Sequence, residues 1–377
     1  MDELGQLLSD LVAIDSVNPD LVAGATGEYK IAIYIANWLE RAGMEVQFIE
    51  SKSGRPNIVG IARGTGGGKT LLLNGHMDTV GSGGMENPHK PIIKGGRLYG
   101  RGAYDMKGGL AACMLALVAA KKQHLRGDVV FTAVIDEEYA SLGTQQLATR
   151  FHADGAIVAE FTELQVILAH RGFVWLEVET QGRAAHGSRP DLGIDAIVKM
   201  GKVLAELEKL DLNLRSNHTH PLLGSGSVHA SLIAGGKELS TYPDRCLLTI
   251  ERRTLPGETP IQIEREVQEI IKKIQNSDAS FKAVVRRGLD RAPLETPEET
   301  EIVKAVQAAA RKVLKRFLPI AGVPFWTDAS LLSSAGIPAI LLGPSGGGAH
   351  ADEEWVELAS VRTCGNLYLA TAKEFCS

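Results

Sequence analysis

Cysteine is scarce in this chain of 377 residues: Cys113, Cys246, Cys364 and Cys376 are widely scattered and none forms a CxxC pair. That excludes a disulfide framework and a thiolate zinc site. Cys113, inside the apolar stretch GGLAACMLALVAA, reads as a small hydrophobe. Any metal is left to histidine and carboxylate. Basic charge is also in deficit, with a formal net charge of -5. Such a balance supplies neither a field for nucleic acid nor a polybasic membrane footprint. The amino terminus, MDELGQLLSDLVAIDS, lacks the basic region of a signal peptide and reads as an amphipathic helix. No apolar run of about 18 residues stands out elsewhere, so the expectation is a cytoplasmic protein without a membrane span. Internal repeats and low-complexity tracts are missing too.

What is present alternates. EYKIAIYIANWLERAG reads as a helix closed by Gly43, MEVQFIE, NIVGIAR and TLLLNGH as strands, MKGGLAACMLALVAAKKQ as a buried helix, and DVVFTAVI and GAIVAE as further strands. Continuous apolar strands separated by helices predict an α/β fold, a mostly parallel sheet covered by helices on both faces. From Gly172 the texture changes. FVWLEVETQG and RCLLTIERRTL alternate, DAIVKMGKVLAELEKL and PIQIEREVQEIIKKIQ have helical periodicity, and FKAVVRR is strand-like. This is the pattern of a compact α+β unit with an antiparallel sheet. The helix ETEIVKAVQAAARKVL and the strand PAILLG then resume the first style. The expected organisation is a first domain in two segments, 1–171 and 289–377, with 172–288 inserted.

Polar groups with chemistry stand just beyond apolar strands. TLLLNGH delivers His76, VVFTAVI delivers Glu137 and Glu138, AIVAE delivers Glu160, and PAILLGPSGGGAH delivers His350 after a flexible loop. Ligands of open α/β sheets bind outside the carboxyl ends of the strands, so these groups can converge. Asp105 joins them from GRGAYDMKGG, at the head of the next helix. Singly, each has a plain structural reading: a hydrogen-bonded histidine, a surface acid, or, for Asp105, a helix cap. The conjunction is what departs from chance. Two imidazoles and three carboxylates exceed the needs of one catalytic ion; two ions roughly 3.5 to 4 Å apart, bridged by a carboxylate, use the full set. Imidazole with hard oxygen suits zinc foremost, with cobalt or manganese as alternatives. Asp78, two residues after His76, is placed to orient its free ring nitrogen. Neighbouring residues leaving a strand point opposite ways, so Glu137 and Glu138 are expected to do different jobs.

These blocks resemble the M20 metallopeptidases, of the acetylornithine deacetylase, succinyl-diaminopimelate desuccinylase and glutamate carboxypeptidase type. The carrying motifs are GHMDTV, GRGAYDMKGG, DEEYAS, GRAAHGSRPDLGIDAI, ERRTLPGET and GAHADEEWV, in family order over nearly the whole chain. The resemblance implies a zinc-exopeptidase-like catalytic domain with an inserted lid or dimerisation domain. His76 and Glu160 would then hold one divalent ion, Glu138 and His350 the other, with Asp105 bridging and Asp78 orienting His76. Glu137 would be the general base. His186 would reach across a homodimer to the oxyanion, and Arg253 would grip a substrate carboxylate. Arg253 alone reads equally as a strand-face salt bridge. Departures from the family lie at Phe161 after Glu160, where proline is common, at Ser240 in place of an asparagine, and at Trp326 in FWTDAS in place of a small residue. They bear on the substrate rather than the reaction.

The implied activity is hydrolysis of an amide in an N-acyl amino acid or related small molecule, with a dipeptidase or carboxypeptidase as the alternative. A binding protein that had kept only the fold would lack a ligand or the base, and none is missing. His218, His220 and His229 in SNHTHPLLGSGSVH read as surface residues, with His229 the one a cleft between domains could use. The helix DAIVKMGKVLAELEKL fits pairing with a second subunit and packing on its own sheet equally well.

Overall fold

The computed structural model describes residues 2–217 and 219–377; His218, one of the three histidines singled out above, lies outside the described residues. The chain divides into two compact units. The first comprises the chain through Leu168 together with Thr296–Ala321 and Thr327–Ser377, and the second Ala169–Glu295 with Gly322–Trp326.

In the first unit Asp2 caps the amino-terminal helix Glu3–Ala13 by accepting the Gly5 N–H, and Leu4, Leu7, Leu8, Leu11 and Val12 are buried at helical spacing. The central sheet runs Glu45–Lys52, Arg55–Ala62, Val129–Val134, Leu71–His76, Gly155–Val158, Ala339–Leu341 and Val166–His170. Val129–Val134 through Ala339–Leu341 are mutually parallel, and the strands on either side of this block pair antiparallel. The parallel expectation thus describes the centre, and the flanks make the sheet mixed. Hydrophobic pattern alone does not separate the two, because every central strand is buried on both faces.

Helices cover both faces. On one face, a Cβ at Gly60 would strike Leu39 and Leu117, one at Gly75 would strike Met106 and Leu110, and one at Gly155 would strike Ile302 and Phe375. Tyr29–Arg41, Gly108–Lys121, Glu301–Leu314 and Leu358–Phe375 therefore pack there. On the other face Leu72, Asn74 and Thr132 meet Thr144, Leu147 and Leu332, from helices Leu142–Ala148 and Ala329–Ser334. By length and composition alone Ala103–Lys121 could span a membrane, but 83% of its apolar window is buried inside the protein and Asp105 and Met106 leave helical geometry within it, so Gly108–Lys121 is the buried core helix that MKGGLAACMLALVAAKKQ predicts.

Because the central strands are parallel, their carboxyl ends share one edge. A second, small antiparallel sheet orders Gly346–Gly347, Trp355–Glu357, Arg97–Tyr99 and Ile92–Lys94. Its register sets Trp355 opposite Tyr99, and the Arg97 guanidinium lies 3.7 Å above the Trp355 ring.

The second unit is a four-stranded antiparallel sheet in the order Ser227–Gly235, Arg245–Thr254, Gly172–Gln181 and Lys282–Arg291. Strict alternation in Gly172–Gln181 buries Val174, Leu176 and Val178 against Met200, Val203 and Leu207 of helix Ala196–Asn217 and Val267 and Ile271 of helix Pro260–Ser277. A capping box between Thr259 and Gln262, with Pro260 in the first turn, starts the latter helix. Helix Ala196–Asn217 thus packs its buried stripe on its own sheet, while Ile197, Val198 and Leu212 stay exposed. The strand Ser227–Gly235 had no sequence signal; its residues beyond Val228 are exposed, so burial imposes no alternation on them.

Candidate metal centre

The strand ends bring seven of the nine predicted residues into one cluster within the first unit. His76 closes strand Leu71–His76, and its Nε2 lies 3.2 Å from Asp105 Oδ1, 3.4 Å from Glu160 Oε1 and 3.9 Å from Glu137 Oε2. His350 Nε2 lies 3.0 Å from Asp105 Oδ2 and 3.2 Å from Glu138 Oε2. Asp105 therefore faces one histidine with each of its oxygens, and each of those histidines also faces a glutamate. His76 and Glu160 are fully enclosed, whereas the His350 side chain is 52% exposed and forms the open side.

The turn after Ile135 separates the two acids. Asp136 takes a left-handed conformation, φ 70, which aspartate tolerates. The chain is thereby redirected so that the Glu137 and Glu138 N–H groups donate to the two oxygens of Asp78, at 3.1 and 3.2 Å. Asn18 donates from one amide nitrogen to Asp78 Oδ2 at 2.8 Å and to Asp136 Oδ1 at 3.0 Å. Arg55 continues the network, donating to Asp136 and, through Nε at 2.6 Å, to the buried Glu28. Sequence reasoning missed Asn18, Glu28 and Arg55; SVNPD and GEYK carried no cue to chemistry.

Asp105 is not a helix cap. Its φ of -115 and ψ of 92 break the turn Ala103–Lys107, and its peptide bond to Met106 is cis. Glu354, also missed, fixes this segment by accepting the backbone N–H groups of Gly102, Tyr104 and Asp105. Phe161, at the position where the family favours proline, packs on Tyr104 with ring centroids 4.5 Å apart.

Electrostatics show what the cluster demands. Burial opposes ionisation of Asp105, yet hydrogen bonds from His350 and His76 hold its carboxyl well below the usual range. Burial also opposes protonation of His76, but Glu160, Asp105 and Glu137 together push the imidazole well above its ordinary value. Glu138 is pushed up to about 7 by burial and the Asp105 charge, and burial drives Glu137 well above the carboxylate range. Buried acids in this number call for positive charge among them. Nitrogen and oxygen donors from His76, Glu137 and Glu160, and from His76, Asp105 and Glu138, already converge closely enough to surround an ion. The donor set thus fits divalent metal, with the softer thiolates absent.

His186 and Arg253 belong to the second unit. His186 is exposed, its Nδ1 2.8 Å from Ser188 Oγ, in an isolated bridge to Thr241. Arg253 donates from Nε to Glu251 at 2.6 Å and lies 5.5 Å from the Phe173 ring centroid. The salt-bridge reading of Arg253 is therefore realised in this geometry. Trp326 donates to the Ala292 carbonyl and packs edge-on to Phe173 and His170. His220 pairs with Glu295 and His229 lies near Glu251; among the described residues neither joins a cluster of three donors.

The family model described as Peptidase family M20/M25/M40 matches residues 72–374. The chain is 29% identical to N-formyl-4-amino-5-aminomethyl-2-methylpyrimidine deformylase of Bacillus subtilis, over 100% of this chain and 95% of that protein. It is also 29% identical to acetylornithine deacetylase of Myxococcus xanthus, over 98% of this chain and 96% of the relative. Among solved structures it resembles aminopeptidase PepT from Bacillus cereus, with a TM-score of 0.82, 19% identity, and coverage of 99% of this chain and 98% of that one.

Proposed function

The chain belongs to peptidase family M20/M25/M40, a family of metal-dependent hydrolases of amide bonds, and from that premise we propose that it removes an acyl group from a small N-acyl amino acid or related amine. The observation that carries this reading is Asp105, each carboxylate oxygen of which faces its own histidine, His76 or His350, while each histidine in turn faces its own glutamate, Glu160 or Glu138. Both relatives described above are named for removal of a small acyl group, which favours deacylation over peptide cleavage.

His76 and Glu160 would hold one divalent ion, Glu138 and His350 a second, with Asp105 shared; zinc suits the donors best, with cobalt or manganese as alternatives. Bound there, the ions would polarise the acyl carbonyl and acidify water. Glu137, whose carboxylate lies 3.9 Å from His76 Nε2, would take a proton from the attacking water and pass it to the leaving amine. Its buried position, which raises its proton affinity, supports that role. His76 keeps Nε2 directed inward because Nδ1 is engaged by the Asp78 carbonyl. Arg253 would give up Glu251 for a substrate carboxylate, and His186 would steady the oxyanion from a second copy of the chain. A homodimer through the second unit is supported by exposed Leu232 and Ile233 on the outer strand and Ile197 and Val198 on the adjoining helix. Four free, buried cysteines fit a cytoplasmic setting, and the acidic balance gives no reason to invoke nucleic acid or membrane as partner.

Glu137→Ala tests the reading. The variant should bind divalent metal as the parent does and lose nearly all turnover on a panel of N-formyl, N-acetyl and N-succinyl amines and dipeptides. Parental turnover would remove Glu137 from the reaction, and turnover confined to the dipeptides would replace the deacylase reading with the peptidase one.

A further inference from the structure

Glu354 touches neither histidine of the cluster, yet it holds both segments that meet at its open side. It is 1% exposed and lies four residues beyond His350, immediately before the strand Trp355–Glu357. One carboxylate oxygen, Oε1, accepts the Tyr104 N–H at 2.9 Å and the Asp105 N–H at 3.0 Å. The other accepts the Gly102 N–H at 2.9 Å and Arg101 Nη1 at 2.9 Å. Four donors occupy its two oxygens, so it is a poor metal ligand. Arg101, also 1% exposed, donates from Nη2 to the Ala351 carbonyl at 2.9 Å, which returns the network to the residue after His350.

Helix starts leave N–H groups without intrahelical acceptors, and a carboxylate is the strongest neutralising partner for them. Here the acceptor comes from 249 to 252 positions away. Asp105 departs from helical φ and ψ, so its direction depends on the groups that hold its amide. His76 and Glu160 differ: His76 closes one strand of the central sheet and is paired with Val134, and Glu160 stands two residues beyond another, so ladder hydrogen bonds set His76 directly and bring the chain to Glu160. We infer that Glu354 is a positioning residue, setting the shared carboxylate of Asp105 against His350 and thereby the half of the centre formed by Asp105, Glu138 and His350. This rests on the two-ion reading above.

The alternative is a buried Arg101–Glu354 pair that supports the fold and nothing more. Metal uptake separates the two. Metal-free parent and Glu354→Gln protein are titrated with Zn2+ by calorimetry against a competing chelator, and with Co2+ while its visible absorption is followed. The parent should take up two ions. In E354Q the first should bind within a few-fold of parental affinity and the second about 10- to 100-fold more weakly, the range for loss of a group that orients a ligand. Glu354→Asp, which keeps the charge beside Arg101 but draws the carboxylate back from the three amides, should show the same selective loss. Two ions bound at parental affinity in folded E354Q overturn the inference, as does parallel weakening of both ions or failure of both variants to fold. A parent that takes up fewer than two ions overturns the two-ion reading itself, whereas a two-ion parent with an unaltered E354Q overturns this inference alone.

Discussion

His76 meets Asp78 through the aspartate's backbone: Nδ1 lies 2.9 Å from the Asp78 carbonyl oxygen, while the nearest carboxylate oxygen is 3.6 Å away. The side chain is spent elsewhere, on the Glu137 and Glu138 amides and on Asn18. The expectation that the Asp78 carboxylate orients the imidazole therefore divides into two jobs. The carbonyl sets the His76 tautomer, and the carboxylate sets the turn that aims the two glutamates.

Asp78→Asn should consequently spare metal and damage turnover. The carbonyl remains to fix His76, but the new amide nitrogen confronts an N–H donor from Glu137 or Glu138, and the turn loosens. Metal content should stay near parental while kcat falls about 10- to 100-fold. Metal analysis of the purified variant beside its steady-state kinetics checks both halves. Loss of metal would return the orienting role to the carboxylate.

The pH response of the second unit has a definite sign. Asp278 Oδ2 accepts from Lys199 Nζ at 2.6 Å and Lys202 Nζ at 2.7 Å, tying helix Ala196–Asn217 to the end of helix Pro260–Ser277. Lys199, Lys202 and Ser280 hold its carboxyl far below the ordinary value of 3.8. A depressed folded-state pKa stabilises above the unfolded value and loses that contribution as pH falls toward the folded one. Parent protein should be more stable than Asp278→Asn at neutral pH, with the gap narrowing below about pH 4. Urea midpoints of both metal-free proteins across pH 3 to 7 measure it; a gap independent of pH would mean that Asp278 acts without its charge.

Most of the candidate metal centre was legible because its cues are local. His76, Glu137 and Glu160 each follow an apolar run that forms a strand, and a parallel block puts those ends on one edge. Glu354 was not legible. Its partners lie about 250 positions upstream, and no local pattern distinguishes it from the acids beside it in ADEEWV. Arg55 and Glu28 are similar: a buried ion pair joining a strand to the start of a helix leaves no periodicity behind. The antiparallel flanks of the sheet escaped for a related reason, since strand direction is decided by connections and partners rather than by composition. Ser227–Gly235 escaped because exposure on both sides removes the alternation that marks a strand.

Two glycines give the same substitution opposite signs. Gly343 follows strand Ala339–Leu341 closely, and a Cβ there would lie 1.9 Å from the carbonyl oxygen of Glu160. Backbone cannot swing aside as a side-chain tip does, so Gly343→Ala must displace Glu160 or its own strand. Overpacking of this kind costs about 1–3 kcal/mol. The Glu160 shift should also weaken the half of the centre that Glu160 shares with His76, leaving the half with His350 less affected. Gly201, within helix Ala196–Asn217, has nothing within 4 Å of such a Cβ and no positive φ. Gly201→Ala should therefore stabilise the protein by about 0.5–1 kcal/mol, because alanine loses less backbone freedom than glycine in a helix. Thermal melts of the two metal-free variants, with calorimetric metal titration of Gly343→Ala, decide the matter. A Gly343→Ala protein as stable and as metal-avid as the parent would mean that the close approach at Glu160 relaxes at no cost, and with it would go the argument that the sheet holds Glu160 rigidly.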